Sequence, residues 1–188
     1  SATDLLNGGE VQVPAQAVYC PPAGGPSLGP GVVRWTSNGM GAHPEQACAV
    51  RHALLEAIER DHLARVLPHG WTGAAVRTRM LDSSTWDEAP RTAASARAIE
   101  GRGLRVFLFD LGPRRSLGLP LAGALLIDPE GGPVPVTAGY ACGLGRDEAL
   151  RGALLEAAQS RLTDVHGARE DVSPAAAQAA ARARRSNP

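Results

Sequence analysis

Glu56 and Glu59 stand three residues apart, with Arg60 directly after them and His52 one turn earlier. On a helix such carboxylates project from neighbouring points on one side. Two on adjacent turns can share a hard cation such as Mg²⁺, which takes oxygen ligands, commonly one or two carboxylates plus substrate phosphates. A related set, Glu156, Gln159 and Arg161, lies about one hundred residues later. Either Arg60 or Arg161 has the planar fork that grips phosphate oxygens bidentately. If the two sets face each other, they frame a polar cavity suited to a magnesium nucleotide. On the residues alone the plainer account is two solvated helix faces, whose internal Glu–Arg pairs are worth about 0.3 kcal/mol each.

The elements that must position these groups are two helices. The stretch Ser37–His62 opens with a polar turn, Asn38-Gly39-Met40-Gly41, and passes Pro44 into a run without helix breakers. Pro44 is expected as the first helical residue, where its missing N–H costs nothing. Ala47, Val50, Leu54 and Ile58 recur at three- and four-residue steps and form the expected core stripe. Aligning 39–60 with 139–160 without a gap gives eight identities in 22 positions, including the run Ala-Leu-Leu-Glu-Ala and a shared Arg. An internal strand-turn-helix repeat, with units at about 32–67 and 133–165, accounts for this better than two unrelated amphipathic helices.

Around them the chain alternates strand and helix patterns. Strands are expected at Glu10–Val13, Ala17–Tyr19 and Val32–Thr36, with the Pro- and Gly-rich stretch from Cys20 to Gly31 as a surface loop. The strand before Asn38 places that turn at a helix N-terminus, where N–H groups attract anions. A helix is expected over Asp87–Gly101, and the apolar run Arg105–Leu111 reads as a buried strand whose terminal Asp110 opens a turn. Leu121–Asp128 and Pro133–Tyr140 flank a turn-rich loop and read as an antiparallel hairpin. It feeds a helix from about Glu148 to Val165 with Asp147 as its cap and Gly167 as its stop; residues 173–188 form an Ala/Arg-rich tail. The fold class is therefore α/β or α+β, with helices packed on a mixed or antiparallel sheet in one domain over residues 1–172.

Composition narrows the function. The 188 residues carry 19 basic and 19 acidic side chains, so net charge offers no case for nucleic acid or an anionic membrane. Three widely spaced cysteines fit neither a disulfide framework nor a zinc site and point to a reducing, cytoplasmic setting. No apolar run approaches a membrane span. Ser37, Ser83, Ser84, His52, His62 and Asp82 form no recognisable Ser-His-Asp pattern. Cys48, near the start of its helix, has the placement for a lowered thiol pKa, although a packed cysteine is the commoner case.

The stretch SNGMGAHPEQACAVRHALLEAIERD resembles the middle motif of the YcaO family, an Asn-Gly-Leu/Met turn leading into a helix that ends Glu-x-x-Glu-Arg-Asp. Asn38, Gly39, Met40, Glu56, Glu59, Arg60 and Asp61 match it in order and spacing. ALLEAAQSRLTDVHGARED is similar to the family's next segment, with Gly167, Arg169, Glu170 and Asp171 in its closing stretch, and TDLLNGGEVQVPAQAVY resembles the connector before the middle motif. This chain departs from the family at Pro44 and Cys48, where the family usually has Asn and Glu that contribute to the nucleotide site.

The resemblance implies ATP and Mg²⁺ as cofactors, with Glu56, Glu59 and Glu156 toward the metal and Asn38, Arg60, Gln159 and Arg161 toward the nucleotide. It implies ATP-dependent activation of a peptide backbone amide to give an azoline or thioamide. The expected partners are a peptide or protein substrate, a TfuA-like or leader-binding protein, and a second copy in a homodimer. A further Glu-x-x-Glu helix that completes the family's site is expected upstream, so this chain alone is expected to be catalytically silent. The alternative is a docking or assembly module whose nucleotide site has decayed, motivated by Pro44 and Cys48.

Overall fold

A computed structural model describes residues 1–19, 36–112 and 118–166. The expected loop over 20–31, most of the expected strand Val32–Thr36, Gly167 and the tail lie outside them. The chain divides into two compact units, residues 1–53 and 54–188.

In the first unit, β1 (Ala2–Thr3) pairs antiparallel with β2 (Glu10–Val11). The expected strand Ala17–Tyr19 is instead part of a single helical turn, α1 (Ala15–Val18). Pro14 sets the entry φ at −59°, and Tyr19 N–H closes the turn on the Ala15 carbonyl at 2.9 Å. The long helix α2 spans Gln46–Val66 and so crosses the division, its residues from Leu54 onward belonging to the second unit. It starts two residues later than expected, because the His43 ring nitrogen Nδ1 accepts the Glu45 N–H at 3.0 Å while the Glu45 carbonyl accepts from Cys48 and Ala49. Glu45 thus stands at the cap position and Pro44 before it.

The second unit is built on a three-stranded antiparallel sheet ordered β3 (Arg105–Asp110), β4 (Leu121–Ile127), β5 (Val136–Cys142). The register pairs Val106 with Leu126 and Leu121 with Cys142, so the expected strand and hairpin stand close to their sequence bounds. As expected, Asp110 opens a turn, accepting the Gly112 N–H at 2.9 Å. Strand alternation divides the side chains between two faces. Val106, Leu108, Ala122, Ala124 and Leu126 pack with α4 (Pro90–Glu100) and α5 (Arg146–His166), while Phe109, Leu121 and Cys142 pack with Trp71 and the Leu55, Ile58 side of α2. A short helix, α3 (Gly73–Arg79), is capped by the Thr72 hydroxyl at 3.2 Å.

Three expectations change here. The single helix over Asp87–Gly101 is two elements, a 3₁₀ turn at Ser83–Glu88 and α4, because Pro90 can begin a helix but cannot continue one. The expected stripe on α2 is not its buried face: Leu54 is 49% exposed and Ala47 is exposed, whereas its two buried residues are Glu59 and His62. Asp147 does not cap its own helix. Its carboxylate accepts the Thr92 N–H at 2.9 Å, the Thr92 hydroxyl at 2.7 Å and the Arg91 N–H at 3.3 Å, and so caps α4 from the neighbouring helix.

Helix α5 sits directly on β5. A Cβ on Gly139 would run into the backbone of Ala153 and Ala157, so only glycine permits that approach. Gly139→Ala is expected to destabilise the unit by about 1–3 kcal/mol through forced separation of helix and strand, seen as a lower urea midpoint. Asp147→Ala removes the cap of α4 and is expected to cost about 0.5–2 kcal/mol. Burial pushes the Asp147 pKa up, but the Thr92 and Arg91 hydrogen bonds win and hold it below the usual range. Its contribution is accordingly lost as pH falls through that lowered pKa, and a pH-independent difference between wild type and variant would contradict the capping role.

Candidate functional site

Helices α2 and α5 have the same length, and their bounds, Gln46–Val66 and Arg146–His166, lie one hundred residues apart. Both reach the outer edge of β5. In an antiparallel sheet, residues two apart on an edge strand turn their N–H groups the same way, away from the neighbouring strand. Tyr140 and Cys142 are such a pair. The Tyr140 N–H donates to Glu156 of α5 at 3.2 Å, and the Cys142 N–H donates to Glu59 of α2 at 3.3 Å. Carboxylates from two helices therefore complete the edge of one strand.

Arg60 lies between the acids, with its guanidinium 3.7 Å from Glu56 and 3.6 Å from Glu59. The Glu59 side chain is 7% exposed, and its second oxygen, Oε1, is buried without a hydrogen-bond partner among the described residues. Trp71 packs on Phe109 at 4.4 Å and stacks near Tyr140 at 6.1 Å, within the apolar cluster that also takes in Leu55 and Ile58 of α2.

This burial controls the charges. Desolvation raises the Glu59 pKa to about 7, with Glu156 and Glu56 adding repulsion against the opposing pull of Arg60 and the Cys142 N–H. Burial also raises Glu156, opposed by the Tyr140 N–H and Arg60, and raises the Tyr140 hydroxyl and the Cys142 thiol. Three carboxylates in the field of one guanidinium leave an excess of hard oxygen donors, and Glu59 Oε1, 3.6 Å from Arg60, accepts no hydrogen bond. That donor set fits Mg²⁺.

The structure thus brings together Glu56, Glu59, Glu156 and Arg60. It places two other candidates elsewhere on α5: Gln159 is exposed, and Arg161 grips the β4–β5 connection, pairing with Asp128 at 2.7 Å and donating to the Val134 carbonyl. Asn38 stands in an exposed turn that the Met40 N–H closes on the Ser37 carbonyl at 3.1 Å. The Cys48 thiol donates to the Glu45 carboxylate at 3.5 Å. Sequence reasoning missed the N–H groups of Tyr140 and Cys142, which no side-chain pattern reveals. It also missed His62 as a buried group with an unpartnered Nδ1, although its place three residues after Glu59 was a usable signal.

A family model described as YcaO cyclodehydratase, ATP- and Mg²⁺-binding, matches residues 1–187. An uncharacterized protein of Methanothermobacter thermautotrophicus is 34% identical over 175 residues, 91% of this chain and 43% of the relative. The chain therefore spans less than half the length of that relative. Among solved structures, a heterocyclase in complex with substrate and cofactor superposes with a TM-score of 0.53 at 22% identity, covering 68% of this chain and 16% of its own. The heterocyclase TruD gives 0.53 at 24% identity, covering 69% and 18%. The E. coli microcin synthetase McbBCD complex with pro-MccB17 bound gives 0.51 at 15%, covering 74% and 35%. At these identities the likeness is one of fold. No helix among the described residues is long and apolar enough to cross a membrane.

A raised folded-state pKa means that the folded chain holds a proton the unfolded chain has released. Stability is therefore expected to fall as pH rises from about 4.3, the unfolded value for Glu, to about 7, the folded value of Glu59. Thermal midpoints across that window should slope downward in wild type and flatten in Glu59→Gln; equal slopes would remove Glu59 as the titrating group.

Proposed function

The chain belongs to the YcaO family, and on that premise we propose that it supplies the carboxylate side of a magnesium–ATP site in an enzyme that activates peptide backbone amides for azoline or thioamide formation. What supports this most directly is the grouping of Glu56 and Glu59 on the Arg60 guanidinium with Glu156 within its electrostatic reach, Glu59 Oε1 being buried with no hydrogen bond and only the 3.6 Å ion pair to Arg60. Glu56, Glu59 and Glu156 would hold a magnesium nucleotide there, which when bound would supply the phosphoryl group that makes an amide oxygen a leaving group. The protein's part is to hold and orient. Glu59 and Glu156 are fixed at one end by β5, Arg60 offsets the charge of the acids, and burial keeps water from Glu59.

Arg161 keeps a role toward the phosphates only if it leaves Asp128, and Gln159 stands on an exposed part of α5, so Arg60 is the primary cation of the site. The full-length protein acts in peptide post-translational modification in the cytoplasm, with a TfuA-like or leader-binding partner and a homodimeric arrangement as parts of the same proposal. The pro-MccB17-bound complex among the structural neighbours supports a peptide as the substrate class.

A second reading has its own support. Pro44 and Cys48 replace the family's usual Asn and Glu, and the Cys48 thiol is engaged with Glu45. A decayed site in a docking or assembly module would then bind no magnesium nucleotide even in the full-length protein, while still associating with a partner subunit.

Calorimetric titration of the full-length protein with Mg·ATP decides between them. Binding is expected, and Glu56→Gln/Glu59→Gln should weaken it by at least about tenfold. Because the Glu59 pKa lies at about 7, metal binding near pH 6 should also release a proton, read as a dependence of the heat on buffer ionisation enthalpy. Binding unchanged by the double substitution sinks the assignment.

A further inference from the structure

The opposite edge of the sheet carries an unfinished strand. Met80 bridges Phe109 antiparallel, and the Leu81 N–H donates to the Leu108 carbonyl at 2.8 Å. The Arg79 guanidinium reaches the Asp110 carbonyl at 3.5 Å. Leu108 and Asp110 therefore turn their backbone groups away from β4, and Val106, two residues earlier, must do the same. The register that sets Met80 against Phe109 would set Ser83 against Val106, since both pairs sum to 189. Ser83 is not there. Asp82 accepts the Ser84 N–H at 2.8 Å and bends the chain into the 3₁₀ turn.

The vacated position is a cleft of about 600 Å³, lined among others by Asp82, Trp86, Glu100, Leu104, Arg105 and Val106. No hydrogen bond from the described residues reaches the outward N–H or carbonyl of Val106. An edge of this kind is a template for an incoming strand.

We propose that this cleft binds an extended segment of the peptide substrate, added antiparallel to β3 as a fourth strand in continuation of Met80–Leu81. The proposal rests on the peptide-modifying reading for the identity of the occupant. The residue set directly opposite Val106 shares its face, where Trp86 forms the floor, and is apolar. The residue after it turns to the other face, where the Arg105 guanidinium lies over the Phe107 ring at 5.2 Å, and carries a hydroxyl or carboxylate side chain. Backbone pairing gives the affinity, and this alternation gives the selectivity.

The test uses the full-length protein with the blocked peptide acetyl-Val-Ser-Val-Glu-amide, whose first Val takes the place opposite Val106 next to Leu81, and two N-methylated versions. At peptide ten times its Kd, exchange of the Val106 amide should slow about tenfold. Methylating the first Val nitrogen should abolish this protection, and methylating the nitrogen of the following Ser, which faces away from β3, should leave it intact. Glu56→Gln/Glu59→Gln should retain peptide protection while losing Mg·ATP, so failure of the nucleotide site and failure of this cleft give different results. The proposal is overturned by Val106 exchange that the peptide does not change, by equal effects of the two methylations, or by a Val106 amide already protected in the free full-length protein.

Discussion

The outer edge of β5 needs acceptors for its N–H groups, and the chain meets that need with carboxylates rather than with another described strand. Buried N–H groups are almost always paired. Tyr140 takes Glu156 and Cys142 takes Glu59. This fixes the separation of α2 and α5 about the strand, draws Glu59 out of water, and raises its pKa. The close seat of α5 at Gly139 serves the same end, because it holds the helix at the distance from which Glu156 reaches the strand.

The matched bounds of α2 and α5 come with unmatched roles. Glu156 and Glu56 occupy corresponding places in the two helices, yet Glu156 bonds a strand and Glu56 pairs with Arg60. At the next corresponding place α2 has buried Glu59 and α5 has exposed Gln159. One helix thus carries two acids that share its own Arg60, one of them also accepting a strand N–H, while its counterpart carries one acid and spends its arginine on Asp128. Similar sequences therefore make an asymmetric cluster with all its positive charge on one side.

How much was legible follows from which forces left a mark on residue type. The strands β3, β4 and β5 and helix α5 were readable because apolar runs bounded by turn residues report burial directly. Helix α2 was readable as a helix but not by face, since its buried positions are the ionisable Glu59 and His62 and its apolar Leu54 is half exposed. A pattern rule that equates apolar with inside fails where the buried side chains are ionisable. The break at Ala89-Pro90 was signalled by the proline and overridden by the helical composition around it. The grouping of Glu56, Glu59 and Arg60 came from spacing, and the addition of Glu156 from the repeat and the resemblance. Nothing in the letters could show that Arg161 turns toward Asp128, nor that two backbone N–H groups complete the cluster.

Asp147 has a consequence for the order in which the chain assembles. Helix α4 supplies no N-terminal side-chain cap of its own, and its acceptor is a carboxylate 55 residues further along. Starting a helix is the costly step, and here the residue that secures the start is made long after the helix itself. During N-to-C synthesis on a ribosome, α4 emerges with Arg91 and Thr92 N–H groups that only water can satisfy, and it becomes locked when the start of α5 leaves the exit tunnel. Translation thus builds a waiting period into the folding of this unit, and the strands between the two helices emerge during it.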